Sequence, residues 1–400
     1  MGAIRITDRI FSVGVINPSL RIFDVIMKTE YGTSYNSYVV KGSEKTAVVE
    51  ACHAEFFDEY LENIEQAIGD GNVDYIILNH NEPDHSGTLA KLFEKYPRAE
   101  VITSSAGCIY LKNITNGSVN SKAVKDNDEI SLGDVTLKFI SAPFLHWPDS
   151  MFTYCREEKA IFTCDFLGCH YCEPTMMSGR IKYKEAYDSS FVYYYNAIFG
   201  PFNSFVLSGL DKMKNIELEY VCPSHGPVLE SRDIKIAEDK YLSYSRTEAK
   251  ERKNVSVIYA SAYGCTSSLA KAIADGIKSV LGDGADVELF EVNTVSPETL
   301  CMKANSSDAF LLGSPTINRD AVAPVWDILS RIDAVNSKNI TASAFGSYGW
   351  SGEAVPNLIG RMRSLKLKVN DEGFKACFVP SGDELSEAYK FGQEFAGNIK

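Results

Sequence analysis

The chain has 400 residues, too many for one ordinary hydrophobic core and suited to two domains. With 45% hydrophobic and 23% charged residues it reads as a globular protein without low-complexity tracts. A formal charge of −13 repels phosphate backbones and anionic lipid, which excludes nucleic acid and membrane surfaces as partners in the absence of a local basic patch.

In chain order, the start Met1-Gly2-Ala3-Ile4-Arg5-Ile6 lacks the apolar core of a signal peptide, and no run of about 18 apolar residues follows, so a cytoplasmic location is expected. β-Like runs fall at Ser37–Val40, Thr46–Val49, Val73–Asn79, Glu100–Thr103, Val135–Ala142, Met151–Cys155 and Ala160–Cys164, with amphipathic helices predicted over Phe56–Ile68 and Gly87–Tyr96. Mixed sheets faced by helices follow from that pattern. Lys240–Lys253 reads as a polar helix or linker. Beyond Asn254 strands near Val255–Tyr259, Val287–Glu291, Ala309–Gly313, Ile340–Gly346 and Lys375–Val379 alternate with helices near Thr266–Leu281, Ala321–Ile332, Glu353–Leu365 and Asp383–Gly397. Such alternation predicts an open five-stranded parallel sheet wound on both sides, with ligands at the strand ends. The boundary falls near residue 252, giving domains 1–250 and 253–400.

The most informative segment is His80-Asn81-Glu82-Pro83-Asp84-His85, four potential metal ligands in one turn after the apolar run Tyr75-Ile76-Ile77-Leu78. A strand that opens into a ligand-rich loop gives those side chains a rigid base. Three more candidates sit at the ends of strand-like segments: His146, Asp165 and His225. Four imidazoles and three carboxylates without a thiolate are more than one ion with an open position takes from protein, so two ions with Asp165 as bridge are expected, iron or manganese ahead of zinc. His53 and His170 are left with structural roles, and the lone Cys169-His170-Tyr171-Cys172 reads as small buried thiols rather than a redox or zinc motif.

In the second half, the strand Val255–Tyr259 opens into Ser261, Ala262, Tyr263, Gly264, Cys265, Thr266 and Ser267 before a helix. Small hydroxyl residues and a glycine at a helix N-terminus suit a phosphate, although neither a Walker loop nor a G-x-G-x-x-G pattern is present. Two more loops follow strand ends: Ser314, Pro315, Thr316, Ile317 and Asn318, and then Ser347, Tyr348, Gly349, Trp350, Ser351 and Gly352. Glycines admit a flat ligand and aromatics stack on it, which points to a mononucleotide with a planar ring, FMN.

With these motifs in place, the chain resembles the flavodiiron proteins, or A-type flavoproteins, from about Thr33 onward. The H-x-E-x-D-H loop matches at His80, Glu82, Asp84 and His85, and the second half carries S-x-Y-G-x-T, G-S-P-T and F-G-S-Y-G-W-S-G segments, with Cys265 where Asn is usual. The resemblance implies an α/β and α+β architecture, an N-terminal metallo-β-lactamase-like αββα sandwich followed by a flavodoxin-like doubly wound sheet. It further implies that His80, Glu82 and His146 hold one iron and Asp84, His85 and His225 the other, with Asp165 between them.

The implied activity is reduction of O2 to water, NO to N2O, or both, with electrons passing from a separate donor (rubredoxin, deazaflavin or flavin reductase) through FMN to the diiron site. Tyr31, Tyr35, Trp147 and Tyr195 are the candidate pocket aromatics. A homodimer or homotetramer of head-to-tail dimers is expected, because the two cofactors belong to different domains. The competing expectation is a zinc hydrolase of the metallo-β-lactamase fold with a flavodoxin-like accessory domain, and a third is an electron carrier or gas sensor without turnover.

Overall fold

The computed structural model describes residues 2–117, 119–246, 252–334 and 340–399. The chain divides into two compact units, Met1–Thr247 and Glu248–Lys400. The polar helix expected around Lys240–Lys253 is the end of Ser231–Ser245, and residues 247–251 lie outside the described ones. Among the described residues no helix is long and apolar enough to cross a membrane.

In the first unit, two sheets pack face to face with helices outside them. One has the strand order Ile4–Arg5, Ile10–Ser12, Tyr38–Lys41, Thr46–Val49, Tyr75–Leu78, Glu100–Ser104, Ser121–Val124. The other runs Glu129–Ser131, Thr136–Ser141, Met151–Cys155, Ala160–Cys164, Tyr220–Pro223, Leu229–Glu230. One buried cluster joins the inner faces, with Tyr38, Val40, Val49, Ile77 and Ile102 from the first sheet against Leu137, Phe139, Met151 and Phe162 from the second. Alternate residues of the same strands, such as Val39, Val48, Ile76 and Phe152, turn outward into the helix-covered layers. Burial on both faces explains why these strands read as continuous apolar runs.

The second unit is a five-stranded, all-parallel sheet in the order Ala285–Glu291, Lys253–Tyr259, Ala309–Gly313, Thr341–Tyr348, Phe374–Cys377. Ile258, Phe310, Leu312 and Ala344 pack against one helix layer, and Val257, Leu311 and Phe345 against the other. The order reverses beside Lys253–Tyr259, so the loops after this strand and after Ala309–Gly313 flank the switch point where such sheets bind ligands.

Candidate functional site

Apolar strands of the first unit deliver seven polar side chains from their C-terminal ends. Tyr75–Leu78 leads to His80 and Glu82, and the helical turn Pro83–Ser86 adds Asp84 and His85. His146 comes after Thr136–Ser141, Asp165 directly follows Ala160–Cys164, and His225 comes after Tyr220–Pro223. The last three strands run in one direction: two are antiparallel to Met151–Cys155 between them, and the third is parallel to Ala160–Cys164.

In each of three sets the donor atoms lie within 4.8 Å of one another: His80, Glu82, His146 and Asp165; Asp84, His85 and His225; and an overlapping set of His85, Cys164 and Asp165. Asp165 faces the donors of both the first and the second. Its Oδ2 lies 3.4 Å from His146 Nε2 and 3.8 Å from His80 Nε2, while its Oδ1 lies 3.2 Å from His85 Nε2 and 3.4 Å from His225 Nε2. Glu82 Oε2 is 3.1 Å from His80 Nε2 and 3.2 Å from His146 Nε2. Asp84 Oδ2 stands 3.1 Å from His225 Nε2 and 3.4 Å from His85 Nε2.

The donors converge within each group, and His80 Nε2 lies within hydrogen-bond distance of Glu82 Oε2. Both Asp84 oxygens and His85 Nε2 are buried without a properly oriented hydrogen-bond partner. Leaving charged groups so placed is costly unless a cation completes them. Seven nitrogen and oxygen donors in two groups sharing one carboxylate fit a pair of metal ions. The neighbouring Cys164 Sγ is 3.9 Å from Asp165 Oδ2, and burial holds its thiol protonated.

Electrostatics tell the same story. Burial would depress the imidazoles, yet the carboxylates around them hold His80 and His146 up to about 9 and His85 up to about 10. Burial likewise pushes Asp165 and Glu82 upward, and the facing imidazoles override it to keep both well below the usual carboxylate range.

Groups behind the donors orient them, and the sequence motifs did not reveal these. His80 Nδ1 lies 3.2 Å from Asp149 Oδ1, and the other Asp149 oxygen accepts from the backbone and side-chain amides of Asn81 at 2.8 and 2.9 Å. His225 Nδ1 donates to the Ser34 carbonyl at 2.6 Å. Both bonds leave Nε2 for the centre. The Tyr194 hydroxyl donates to Asp165 Oδ1 at 3.0 Å, its phenol pushed well above the usual range by burial and then by that carboxylate. The Asp149 side chain had a faint signal, lying three residues past His146; Tyr194 had none to separate it from Tyr193 and Tyr195.

Of the four expected pocket aromatics, two border the cluster. The Trp147 ring meets His80 edge-on at 4.9 Å, and Tyr35 lies 5.9 Å from His225. Tyr31 lines a separate cavity of about 260 Å3 that His170 also touches. Tyr195 departs from the expectation: its hydroxyl is turned to Asn203 and Ser245, both at 2.7 Å, because the helical phase that carries Tyr194 inward sends the next residue elsewhere. His53 stacks on Tyr35, and His170 packs beside His225 with its Nδ1 2.8 Å from Thr33 Oγ1.

The second unit's loops are linked to one another by their own hydroxyls. Gly264, at φ 82°, starts the helix Cys265–Leu281, where Ser261 Oγ accepts from the Ser267 amide at 3.2 Å. Thr266 Oγ1 pairs with Ser347 Oγ at 2.9 Å, and the buried Ser314 hydroxyl accepts from the Val322 amide at 3.0 Å, so these two hold loops in place. A cavity of about 410 Å3 is lined by Thr316, Ile317, Asn318, Gly349, Trp350 and Ser351, together with Arg319, which the motif reading did not single out. Tyr263 and Trp350 are 95% and 96% exposed, apolar faces with nothing of their own unit upon them.

Residues 33–226 match the ODP family beta lactamase model and residues 257–392 the flavodoxin model. The chain is 53% identical to the flavo-diiron protein FprA2 of Clostridium acetobutylicum, with 100% of both chains covered. It is 30% identical to a nitric oxide reductase of Moorella thermoacetica over 99% of this chain and 98% of that one. Among solved structures it is similar to the rubredoxin oxygen:oxidoreductase of Desulfovibrio gigas, at 26% identity and a TM-score of 0.73, covering 99% and 98% of the two chains. Full-length identity above half, on a sandwich that gathers seven potential metal donors and a five-stranded parallel sheet, makes this chain a member of the flavodiiron protein family.

Proposed function

We propose that the protein is an oxidoreductase that passes electrons from an external donor through FMN to a diiron site, reducing O2 to water, NO to N2O, or both. One observation carries the reading: the two oxygens of Asp165 face two separate sets of buried donors, which is the arrangement of a bridged pair of metal ions. When bound, FMN would store up to two electrons and release them singly, and two irons would supply one-electron redox chemistry at a position open to a small gas. His80, Glu82 and His146 would hold one ion and Asp84, His85 and His225 the other, with Asp165 between them.

The chain's own groups prepare this site. Asp149 and the Ser34 carbonyl fix two imidazole tautomers, Tyr194 holds the bridging carboxylate in register, and burial keeps bulk water from the donors. The loops at Ser261–Ser267, Ser314–Asn318 and Ser347–Gly352 would hold the flavin. A zinc hydrolase is not favoured, since relatives that match along the whole chain are named as a flavo-diiron protein, a nitric oxide reductase and a rubredoxin oxygen:oxidoreductase.

Because the flavin loops and the metal donors belong to different units, a head-to-tail dimer, alone or doubled in a tetramer, is the arrangement we infer for electron transfer. An external electron donor of the rubredoxin, deazaflavin or flavin reductase type is inferred, a rubredoxin oxygen:oxidoreductase being among the similar proteins. The ten free thiols suit a reducing, cytoplasmic setting.

The decisive experiment counts iron and FMN, reduces the protein anaerobically, and follows its reoxidation by O2 and by NO in parallel. Two irons, one FMN and rapid reoxidation are expected; two zinc ions with no iron refute the reading. A stable monomer with full turnover refutes the paired arrangement alone.

A further inference from the structure

The turn after Thr316 carries an arginine where the backbone favours glycine. Asn318 and Arg319 are both left-handed, at φ 54° and 60°, and Ile317 and Asp320 close the turn with reciprocal backbone hydrogen bonds of 3.0 and 3.1 Å. Two successive left-handed residues form the mirror-image turn whose preferred pair is Asn-Gly. Asn318 suits its place; Arg319 does not, and strain retained at a ligand cavity points to a side chain with a use there. The turn is also anchored, since Asp320 Oδ1 accepts from Asn357 Nδ2 at 2.9 Å and from the Ala321 amide at 2.8 Å.

Arg319 lines the cavity of about 410 Å3 opposite Gly349, Trp350 and Ser351, and it is the one ionisable side chain among the lining residues. Neighbouring charges are Glu353 and Lys375: the Ser351 hydroxyl first, and then the Arg319 and Lys375 cations, hold the Glu353 carboxyl below its usual range. Lys375 lies over the Tyr348 ring, 5.8 Å from its centroid.

We propose that Arg319 binds the pyrimidine edge of the flavin and raises its reduction potential. This rests on the reading that the second unit binds FMN. When oxidised flavin takes two electrons from the external donor and one proton at N5, one negative charge remains, shared between N1 and the C2 carbonyl. A guanidinium fork donates to those acceptors and stabilises the charged form over the neutral one. The phosphate has its own place at the start of Cys265–Leu281, which leaves Arg319 for the ring.

The test is potentiometric titration of the FMN-loaded protein beside Arg319→Gln, Arg319→Lys and Arg319→Gly, with the affinity for oxidised FMN measured on each. Arg319→Gln should lower the reduced-to-oxidised affinity ratio about tenfold, a fall of about 30 mV for a two-electron couple. Arg319→Lys should recover part of it. Arg319→Gly should show the same fall while thermal unfolding stays level or rises, because glycine suits the turn. An unchanged potential in Arg319→Gln overturns the proposal, including the case where both oxidation states lose affinity equally and Arg319 therefore holds the phosphate or ribityl chain. A wild-type protein that retains no FMN would instead refute the flavin reading, and the two failures cannot be confused.

Discussion

The two ligand sites handle polarity in opposite ways. In the first unit seven ionisable side chains gather beyond the ends of apolar strands, five of them buried, with both Asp84 oxygens and His85 Nε2 lacking a properly oriented hydrogen-bond partner, so the site is unbalanced until cations enter. In the second unit the loop hydroxyls satisfy one another, and Tyr263 and Trp350 stand almost wholly in solvent. Metal binding is therefore coupled to the stability of its unit, whereas flavin binding adds a ligand to a sheet that is already complete.

Stripping each cofactor in turn is the strongest way to break that contrast. Chelation should lower the unfolding transition of the first unit by the equivalent of about 3–5 kcal/mol, because protonated imidazoles replace only part of the charge the ions supplied. Removing FMN should cost the second unit about 2.7 kcal/mol at a hundredfold excess over Kd. Calorimetry that shows the flavin to be the larger stabiliser would reverse the comparison.

The metal-free protein sharpens it through pH. His80, His85 and His146 bind protons more tightly folded than unfolded, with folded pKa values of about 9 to 10 against about 6.5 unfolded. Their contribution, roughly 3–5 kcal/mol each at most, is fully present below pH 6.5 and drains away as pH rises toward 10. A melting series on the stripped protein should show the first unit weakening across that range and the second unit indifferent to it.

Substitutions probe the contrast residue by residue. Asp165→Ala should release both metals and cut O2 and NO consumption by at least about 100-fold, beyond the usual effect of an outer partner, while FMN content is unchanged. Flavin loss in that variant would show the units to be coupled. Tyr194→Phe should slow turnover roughly fivefold, a hydrogen bond's worth of about 1 kcal/mol, whereas Tyr195→Phe should leave turnover alone. Trp350→Ala should weaken FMN binding by about 0.5–1.5 kcal/mol by equilibrium titration, an effect comparable to that of Tyr194→Phe.

Strands buried on both faces were the easiest to read: Thr46–Val49, Met151–Cys155, Ala160–Cys164 and Ala309–Gly313 match to the residue. What escaped were elements with little apolar content to announce them. The two- and three-residue strands before residue 36 are too short for any periodicity, and Lys184–Tyr194 buries only Phe191 and Tyr194. The helices Ser105–Thr115, Asn203–Met213 and Pro297–Ser306 went unread for a similar reason, each keeping only two or three residues buried.

Composition and local motif alone determined the four donors of the His80–His85 loop, the glycine-bearing loops and the alternation that makes a parallel sheet, since each is written in residues close together along the chain. Only the tertiary structure decided that the two Asp165 oxygens face different donor sets, that Asp149 stands behind His80, and that Tyr194 rather than Tyr195 reaches the cluster. Those outcomes depend on strand register and on helical phase, where a shift of one residue turns a side chain to another face, and neither is encoded at the position it governs.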